Sequence, residues 1–489
     1  MVGNLLKNPA HRAGFFKRSL VLIHHSTPFF GSPFRGIKFK MPPGIIERLD
    51  RLPLSSFHWR LLWVSGLGWM FDAMDVGIVT FVLATLKQNW SLTPQQVGNI
   101  GSIGLLGMFV GAAFAGSLAD RWGRKMAFQG TLFLFSIASG LCGLAWGYSS
   151  LLFFRFLVGL GLGGELPVAS TLVSELSPSR YRGRLLTLLE SFWAYGWVLA
   201  ALIAYFVIPH WGWRVAFFIG ALPAFYVFVL RRSMPESPRF LLSRGRVKEA
   251  EEILAQWEGG PAAVREISPN DLAPTPSPDS PAPAARVGFR ALWSPAYRRR
   301  TLCLWILWFF MVYSYYGIFV WLPSLLVASG YTLVRSFQFV LIITLAQIPG
   351  YYSAALLVDR IGRKWVLVSY LFCCAIAAYF FGRADSVGEI LWWGSMISFF
   401  NLGAWGVVYT YTPELYPTRI RGTGAGWAAA FGRLGGMIAP AAVGVMLGSW
   451  GRRHTEIFAM FTVMLLLAAV DVALLGEETK GKSLEEIAS

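Results

Sequence analysis

Charged side chains occur inside stretches of this sequence that are otherwise apolar. Asp72 and Asp75 lie near the middle of an apolar run over residues 61–86. Because they are three residues apart, a helix places them on one face, and two close carboxylates cannot easily both be ionised. At least one of them should therefore carry a proton that it can exchange. The pair predicts proton uptake and release.

Arg155, Glu165, Glu190 and Arg433 also lie within apolar runs. Arginine keeps its charge, so Arg433 requires an anion close by. This anion is either a substrate carboxylate, which binds two guanidinium N–H groups, or the carboxylate of Glu190 or Glu165 in a permanent salt bridge. The two glutamates can equally serve as proton relays or as packing partners. Ionisable residues inside membrane spans favour a functional role.

The elements that carry these residues are long apolar helices. Of the 489 residues, 55% are hydrophobic and only 14% are charged, which excludes an ordinary soluble domain. An all-α integral membrane protein is predicted, with twelve runs long enough to cross a bilayer. The runs are 61–86, 97–119, 126–146, 150–174, 185–208, 214–231, 301–328, 336–358, 365–382, 388–412, 422–448 and 454–475.

The distribution of lysine and arginine predicts the topology. Of the 43 basic residues, 35 lie before the first run, in the loops after the even-numbered runs, or in the tail, and 6 lie in the other loops. Positive residues mark cytoplasmic segments, so both termini are expected in the cytoplasm. The net charge of +17 reflects this topology, and no nucleic-acid partner is expected.

Two motifs recur at one constant spacing. The segment DRWGRK begins at Asp120 and DRIGRK at Asp359, while ELSPSR begins at Glu175 and ELYPTR at Glu414. Both pairs are 239 residues apart, which predicts two six-helix repeats related by an axis along the membrane normal. Acids at helix ends and arginines at the next helix start can form bonds that break when one face opens. The predicted gating residues are Asp120, Arg124, Glu175, Arg184, Asp359, Arg363, Glu414 and Arg421.

These motifs resemble those of the major facilitator superfamily, in its sugar-porter-like branch. The segments GSLADRWGRK, RFLVGLGLGGE, PESPRFL, PELYPTRIRGTG and EETKGKSLEEI carry the resemblance. The segments GWMFDAMDVGI, LLESFWAYGW and FFNLGAWGVVYTYTPELYPT are most similar to bacterial niacin (nicotinate) transporters of the NiaP type, a group related to the synaptic vesicle glycoproteins. The resemblance implies the major facilitator fold and a place in the bacterial inner (plasma) membrane.

The resemblance also implies roles for particular residues. Asp72 falls where proton-coupled sugar porters carry an aspartate, and Arg155 matches the arginine that pairs with it. The vesicle glycoproteins place ligand-contacting tryptophans at the positions of Trp193 and Trp405. The predicted proton-coupling residues are Asp72, Asp75, Arg155 and Glu165.

A substrate site is expected near the bilayer midplane, between the repeats. Flat aromatic faces suit a planar ring, whereas a sugar needs many amides and hydroxyls, and few deep amides are present. Gln347, Asn401 and Tyr351 are expected to orient a ring nitrogen or a carboxylate. The predicted substrate-binding residues are Trp193, Glu190, Tyr313, Tyr316, Gln347, Tyr351, Asn401, Trp405, Tyr409 and Arg433.

The sequence thus predicts a monomeric secondary transporter that imports nicotinate or a similar organic anion with protons. One alternative is a facilitator or symporter of nicotinamide, another aromatic acid or a sugar. Another is a membrane protein that binds its ligand without transporting it. No nucleophile, metal-ligand or phosphate-loop pattern indicates an enzyme, and neither a metal nor another cofactor is expected.

Five segments are predicted along the chain, with residues 1–40 expected to be disordered and the central loop to contain a short helix and a Pro-rich linker. They are a cytoplasmic segment (1–59), a six-helix bundle (60–232), a cytoplasmic loop (233–299), a second six-helix bundle (300–476) and a cytoplasmic tail (477–489).

Overall fold

A computed structural model describes residues 45, 48–49, 52–177, 182–258, 289–417, 420–449 and 454–480. Residues 1–40, the Pro-rich linker and the end of the tail lie outside the described residues. The same holds for the side chains of three predicted gating residues, Asp120, Arg184 and Asp359.

The first half of the chain forms five long helices and one broken helix. They are α1 (Ser56–Asn89), α2 (Pro94–Trp122), α3 (Arg124–Gly143), α4 (Tyr148–Leu176), α5 (Arg182–Phe206), the short α6 (Ile208–Trp211), and α7 (Trp213–Ala221) followed by α8 (Pro223–Ser233). Thr93 caps α2 by accepting a hydrogen bond from the Gln96 N–H, and Pro94 occupies the first turn, where no N–H is needed.

Two short helices follow, α9 (Pro238–Ser243) and α10 (Val247–Glu258), and α10 is the helix predicted for the central loop. The second half repeats the first. Its helices are α11 (Arg298–Ala328), α12 (Leu333–Leu345) continued by α13 (Gln347–Ile361), α14 (Arg363–Phe381), α15 (Val387–Glu414), α16 (Arg421–Gly448) and α17 (His454–Leu475).

The predicted spans all coincide with described helices. Nine of the helical stretches in the described part of the chain are long and apolar enough to cross a membrane by composition alone. The remaining three spans are α2, α4 and α15, which contain more glycine, serine and other polar residues.

Equivalent glycines reverse the chain in both halves. Gly123, between α2 and α3, has φ = 102°, and Gly362, between α13 and α14, has φ = 109°. Only glycine adopts this conformation readily, which explains the glycine in DRWGRK and in DRIGRK. We call the face of the bundle that carries these two turns the motif face.

The two halves meet closely on the opposite face. The Gln95 side-chain amide, in the first turn of α2, donates to the Ser449 hydroxyl at the end of α16, at 2.7 Å. Deeper in the same contact, a Cβ on Gly98 would lie 2.5 Å from the Pro440 carbonyl oxygen. The α2 and α16 backbones therefore touch at this end because Gly98 has no side chain.

Candidate functional site

A cavity of about 760 Å³ lies between the two halves. It extends towards the motif face, since Thr423, Gly426 and Trp427 line it from the first two turns of α16, which begins there. At the other end of the same helix, Pro440 and Ser449 are in contact with α2. The described state is thus open on the motif face and closed on the opposite face.

Seven of the predicted substrate-binding residues line this cavity. They are Glu190, Trp193, Tyr316, Tyr351, Trp405, Tyr409 and Arg433. Five helices supply them: α5 from the first half, and α11, α13, α15 and α16 from the second. The cavity wall is therefore aromatic, with one basic and one acidic side chain.

The aromatic rings join the two halves across the cavity. The Trp193 indole N–H of α5 donates to the Tyr315 hydroxyl of α11 at 2.6 Å. Tyr315 also contacts Trp405 of α15, with ring centroids 6.0 Å apart and planes at 82°. Trp193 and Trp405 therefore both contact Tyr315 and line the cavity, where they present flat surfaces to a ligand.

Five aromatic cavity residues were not among the predicted site residues: Trp69, Phe109, Trp308, Tyr315 and Trp427. A signal for two of them is present in the sequence. Trp308 follows Trp69 by 239 residues, the same offset as the repeated motifs. Each half therefore contributes an equivalent tryptophan to the wall, and the internal repeat could have identified both.

Three predicted substrate residues do not line the cavity. The Tyr313 hydroxyl reaches the Met460 sulfur of α17 at 3.4 Å, and the Asn401 amide faces the Cys374 sulfur of α14 at 3.8 Å. Gln347 is fully buried and its amide makes no hydrogen bond within the described residues. The repeat offset gives the depth of a residue along its helix, whereas these three side chains point to other sides of theirs.

The Arg433 side chain of α16 lines the cavity. It is close enough to the hydroxyls of Tyr316 and Tyr409 to interact with them electrostatically. Among the described side chains, no carboxylate forms an ion pair with it, so the permanent salt bridge to Glu190 or Glu165 is not formed in this state. The Arg433 cation is available to an anion in the cavity.

The buried ion pair of the first half differs from the expected one. Arg155 of α4 binds Asp75 with a 2.7 Å contact, and the Ser139 hydroxyl donates to the other Asp75 oxygen at 2.5 Å. The structure therefore pairs Arg155 with Asp75, whereas the family resemblance implied a pair with Asp72. The three-residue separation explains the difference, because it moves Asp72 almost one turn along α1.

Asp72 instead lies beside Glu165 of α4, close enough for the two carboxyl groups to interact electrostatically. Both side chains are buried, and in the described part of the chain no basic, hydroxyl or amide group donates a hydrogen bond to them. Gly68 makes room for this arrangement, since a Cβ there would lie 2.7 Å from a Glu165 oxygen. The two acids form a buried pair without a cation.

The motif residues hold helices together within each half. Arg124 pairs with Glu175 at 3.4 Å, and the equivalent Arg363 pairs with Glu414 at 3.3 Å. The Arg421 guanidinium donates to the Pro413 carbonyl at 2.9 Å. These pairs are formed in the described state, and their separation during transport stays a prediction.

Two further glutamates cap the helices that follow the motif turns. The Arg124 N–H of α3 donates to Glu236 at 3.0 Å, and the Arg363 N–H of α14 donates to Glu478 at 2.9 Å. A carboxylate at a helix N-terminus accepts hydrogen bonds from the free N–H groups there and interacts favourably with the positive end of the helix dipole. These acids were not predicted as gating residues, although both lie in the signature segments PESPRFL and EETKGKSLEEI.

The family model described as "Sugar (and other) transporter" matches residues 71–489. The chain belongs to this family. It is therefore a multi-pass membrane transporter with the major facilitator fold, and it is not an enzyme. The predicted family and fold are confirmed.

Two relatives of this transporter have nearly its full length. The "Niacin transporter NiaP" of Acinetobacter baylyi is 54% identical over 91% of this chain and 99% of its own. The "Putative niacin/nicotinamide transporter NiaP" of Bacillus subtilis is 47% identical over 87% of this chain and 98% of its own. A third relative, the "Synaptic vesicle 2-related protein" of Rattus norvegicus, is 30% identical over 90% of this chain and 82% of its own. The predicted relationship to both groups is confirmed.

Solved structures share the fold of this transporter. The inward-open conformation of the xylose transporter XylE from E. coli matches with a TM-score of 0.69 and 20% identity, over 88% of this chain and 99% of that one. At this identity the similarity concerns the fold alone.

The contact on the opposite face gives a prediction about the conformation of the transporter. In Gly98→Ala, the new methyl group would overlap the Pro440 carbonyl, so closure of this face should become less favourable and the population should shift towards the state closed on the motif face. We expect a Thr423→Cys side chain in the cavity to react several-fold more slowly with a membrane-impermeant maleimide that is added at the motif face.

Gly147→Ala is the matched control, because a Cβ at Gly147 meets no atom within 4 Å. It should leave the reaction rate unchanged. An unchanged rate in Gly98→Ala would show that this contact does not determine which face is closed.

Proposed function

We propose that this transporter imports nicotinate, or a similar small aromatic carboxylate, by proton symport and alternating access. The observation that carries the proposal is Arg433, a cation in an aromatic cavity that forms no ion pair with a described acid. A carboxylate can bind a guanidinium through two parallel hydrogen bonds, which fixes its orientation as well as its position. The names of the relatives at 54% and 47% identity support the same substrate class.

The aromatic wall of the cavity suits the ring of the proposed ligand. Trp193, Tyr315 and Trp405 line the same cavity as Arg433, so a planar ring can stack on these aromatic side chains while its carboxylate binds Arg433. A sugar would leave most of its hydroxyl groups without partners against these rings, and unpaired buried polar groups weaken binding. The wall therefore favours a flat aromatic anion over a hexose.

The Asp72–Glu165 pair is the proposed carrier of the proton. Two buried carboxyls without a cation are stable together when one of them holds a proton. Asp75 is less suited to this role in the described state, because Arg155 and Ser139 already stabilise its charge. Proton exchange at this pair can thus occur without separating Arg155 from Asp75.

Tyr316 connects the proton site with the substrate site. It lies in the cavity wall and interacts electrostatically with both Arg433 and Asp72. When a substrate carboxylate neutralises Arg433, the electrostatic potential at Asp72 becomes more negative. The protonated form of the acid pair is then favoured. Anion binding and proton binding therefore reinforce each other, and the loaded carrier gains no net charge.

The proposed orientation follows from the basic loops. Both termini and the motif face lie in the cytoplasm of a bacterial cell, so the described cavity is open inward. The substrate and the proton enter from outside, the outer contact between α2 and α16 closes, and both are released through the motif face. The protein is proposed to act as a monomer, with one pathway between its two halves.

The proposal is tested by uptake of labelled nicotinate into liposomes that contain the purified protein, with and without an inwardly directed proton gradient. We expect accumulation only with the gradient. In Asp72→Asn and in Glu165→Gln, accumulation should fall at least ten-fold, because the acid pair can no longer bind and release its proton, whereas exchange of internal for external nicotinate should continue.

Each other result identifies a different function. Uptake that ignores the gradient would indicate a facilitator. Binding without uptake would indicate a ligand-binding membrane protein. Uptake of glucose or nicotinamide, but not of nicotinate, would show that the transporter has a different substrate.

A further inference from the structure

The cavity contains a second polar group whose role the proposed function leaves open. Glu190 of α5 lines the cavity and is 8% exposed. Within the described residues it forms no ion pair, although Arg433 lines the same cavity from α16. An acidic and a basic side chain thus line one cavity without forming an ion pair with each other.

Tyr409 shows how these two groups are arranged. Its ring lines the cavity, and its hydroxyl interacts electrostatically with both Glu190 and Arg433. Tyr351, which also lines the cavity, interacts electrostatically with Glu190. Glu190 and Arg433 therefore both lie near Tyr409 in the wall of one cavity. A ligand that contacts the Tyr409 ring can bind both groups.

We propose that Glu190 binds the ring nitrogen of a pyridine carboxylate whose carboxylate binds Arg433. The inference rests on the proposed function and names the ligand more narrowly, as a pyridine carboxylate and not any aromatic acid. One proton lies between the Glu190 oxygen and the ring nitrogen. The carboxyl O–H donates it to a neutral nitrogen, or the pyridinium N–H donates it to the carboxylate, and the total charge is the same.

The arrangement makes the position of the nitrogen on the ring important. In pyridine-3-carboxylate the nitrogen lies away from the carboxylate, so the two groups can bind at separate sites. In pyridine-2-carboxylate they are adjacent, and a ligand whose carboxylate binds Arg433 cannot also reach Glu190. Benzoate has no ring nitrogen and cannot form the interaction with Glu190, so its binding affinity is lower.

The test is competition against labelled nicotinate bound to the purified full-length protein. In the wild type, we expect benzoate and pyridine-2-carboxylate each to bind about ten-fold or more weakly than nicotinate. In Glu190→Leu, nicotinate should bind as weakly as benzoate, and the affinity for benzoate should not fall. In Glu190→Gln, part of the preference should remain, because the amide N–H can donate to a neutral ring nitrogen.

Asp471→Asn is the matched control. Asp471 is a buried acid of α17 that lies beside Cys303 and does not line the cavity, so its replacement should leave the preference for nicotinate unchanged. Retained benzoate binding shows that a Glu190 variant is folded, and the Gln variant provides the test if Glu190→Leu does not fold.

Two results would overturn the inference while leaving the proposed function intact: a wild-type protein that binds nicotinate and benzoate equally, or Glu190 variants that keep the full preference. A wild-type protein that binds neither compound would overturn the proposed function itself, and the inference with it.

Discussion

Replacing Arg433 by leucine is expected to lower the affinity for nicotinate by about 100-fold. The variant removes both guanidinium hydrogen bonds to the carboxylate and leaves that charge in an aromatic cavity without a cation. Hydrogen bonds to charged groups contribute about 1.5–3 kcal/mol, and about 1.4 kcal/mol corresponds to a ten-fold change in affinity. Equilibrium binding of labelled nicotinate to the purified protein measures the effect.

Two further variants separate charge from geometry. Arg433→Lys keeps the charge but cannot form two parallel hydrogen bonds, so we expect an intermediate affinity. Arg383→Leu is the matched control, because the Arg383 guanidinium lies 3.8 Å from the centre of the Tyr379 ring, outside the cavity. Wild-type affinity in Arg433→Leu would show that the substrate carboxylate binds elsewhere.

Replacing Arg155 by leucine is expected to lower the free energy of unfolding by about 3–5 kcal/mol. The guanidinium is almost completely buried and contacts Asp75 at 2.7 Å, so its loss leaves the Asp75 charge inside the first half with only the Ser139 hydroxyl as a donor. The melting temperature of the purified protein in detergent reports the loss.

The double variant Arg155→Leu with Asp75→Asn tests the cause. Removing both charges removes the unpaired one, so the double variant should be more stable than Arg155→Leu alone. If the two substitutions destabilise additively, the stabilising contribution of Arg155 does not depend on Asp75.

The sequence predicted the fold well, for a physical reason. A helix that crosses a bilayer must be long and apolar, and the repeated motifs are separated by a constant 239 residues, so the number of spans and the two repeats followed directly. The glycine in each motif was likewise explained by the positive φ of Gly123 and Gly362. These features depend on local sequence and on length.

The site was harder to predict because side-chain direction depends on how the helices pack. Tyr313 and Tyr316 are three residues apart on α11, yet Tyr316 faces the cavity and Tyr313 faces α17. The partner of Arg155 likewise depends on the relative positions of α1 and α4, and one turn separates the two candidate aspartates. Depth along a helix could be inferred from the repeat, whereas rotation about its axis could not.

The closed contact between the α2 and α16 backbones also determines where the membrane voltage acts. Because the cavity is open to water on the motif face, its potential is that of the adjoining solution, and the voltage falls mainly across the short segment from the cavity to Gln95 and Ser449. One elementary charge that crosses this segment under 100 mV changes energy by about 2.3 kcal/mol. In the proposed alternating-access cycle, the Arg433 charge in this cavity therefore experiences nearly the whole electrical potential difference when the open face changes.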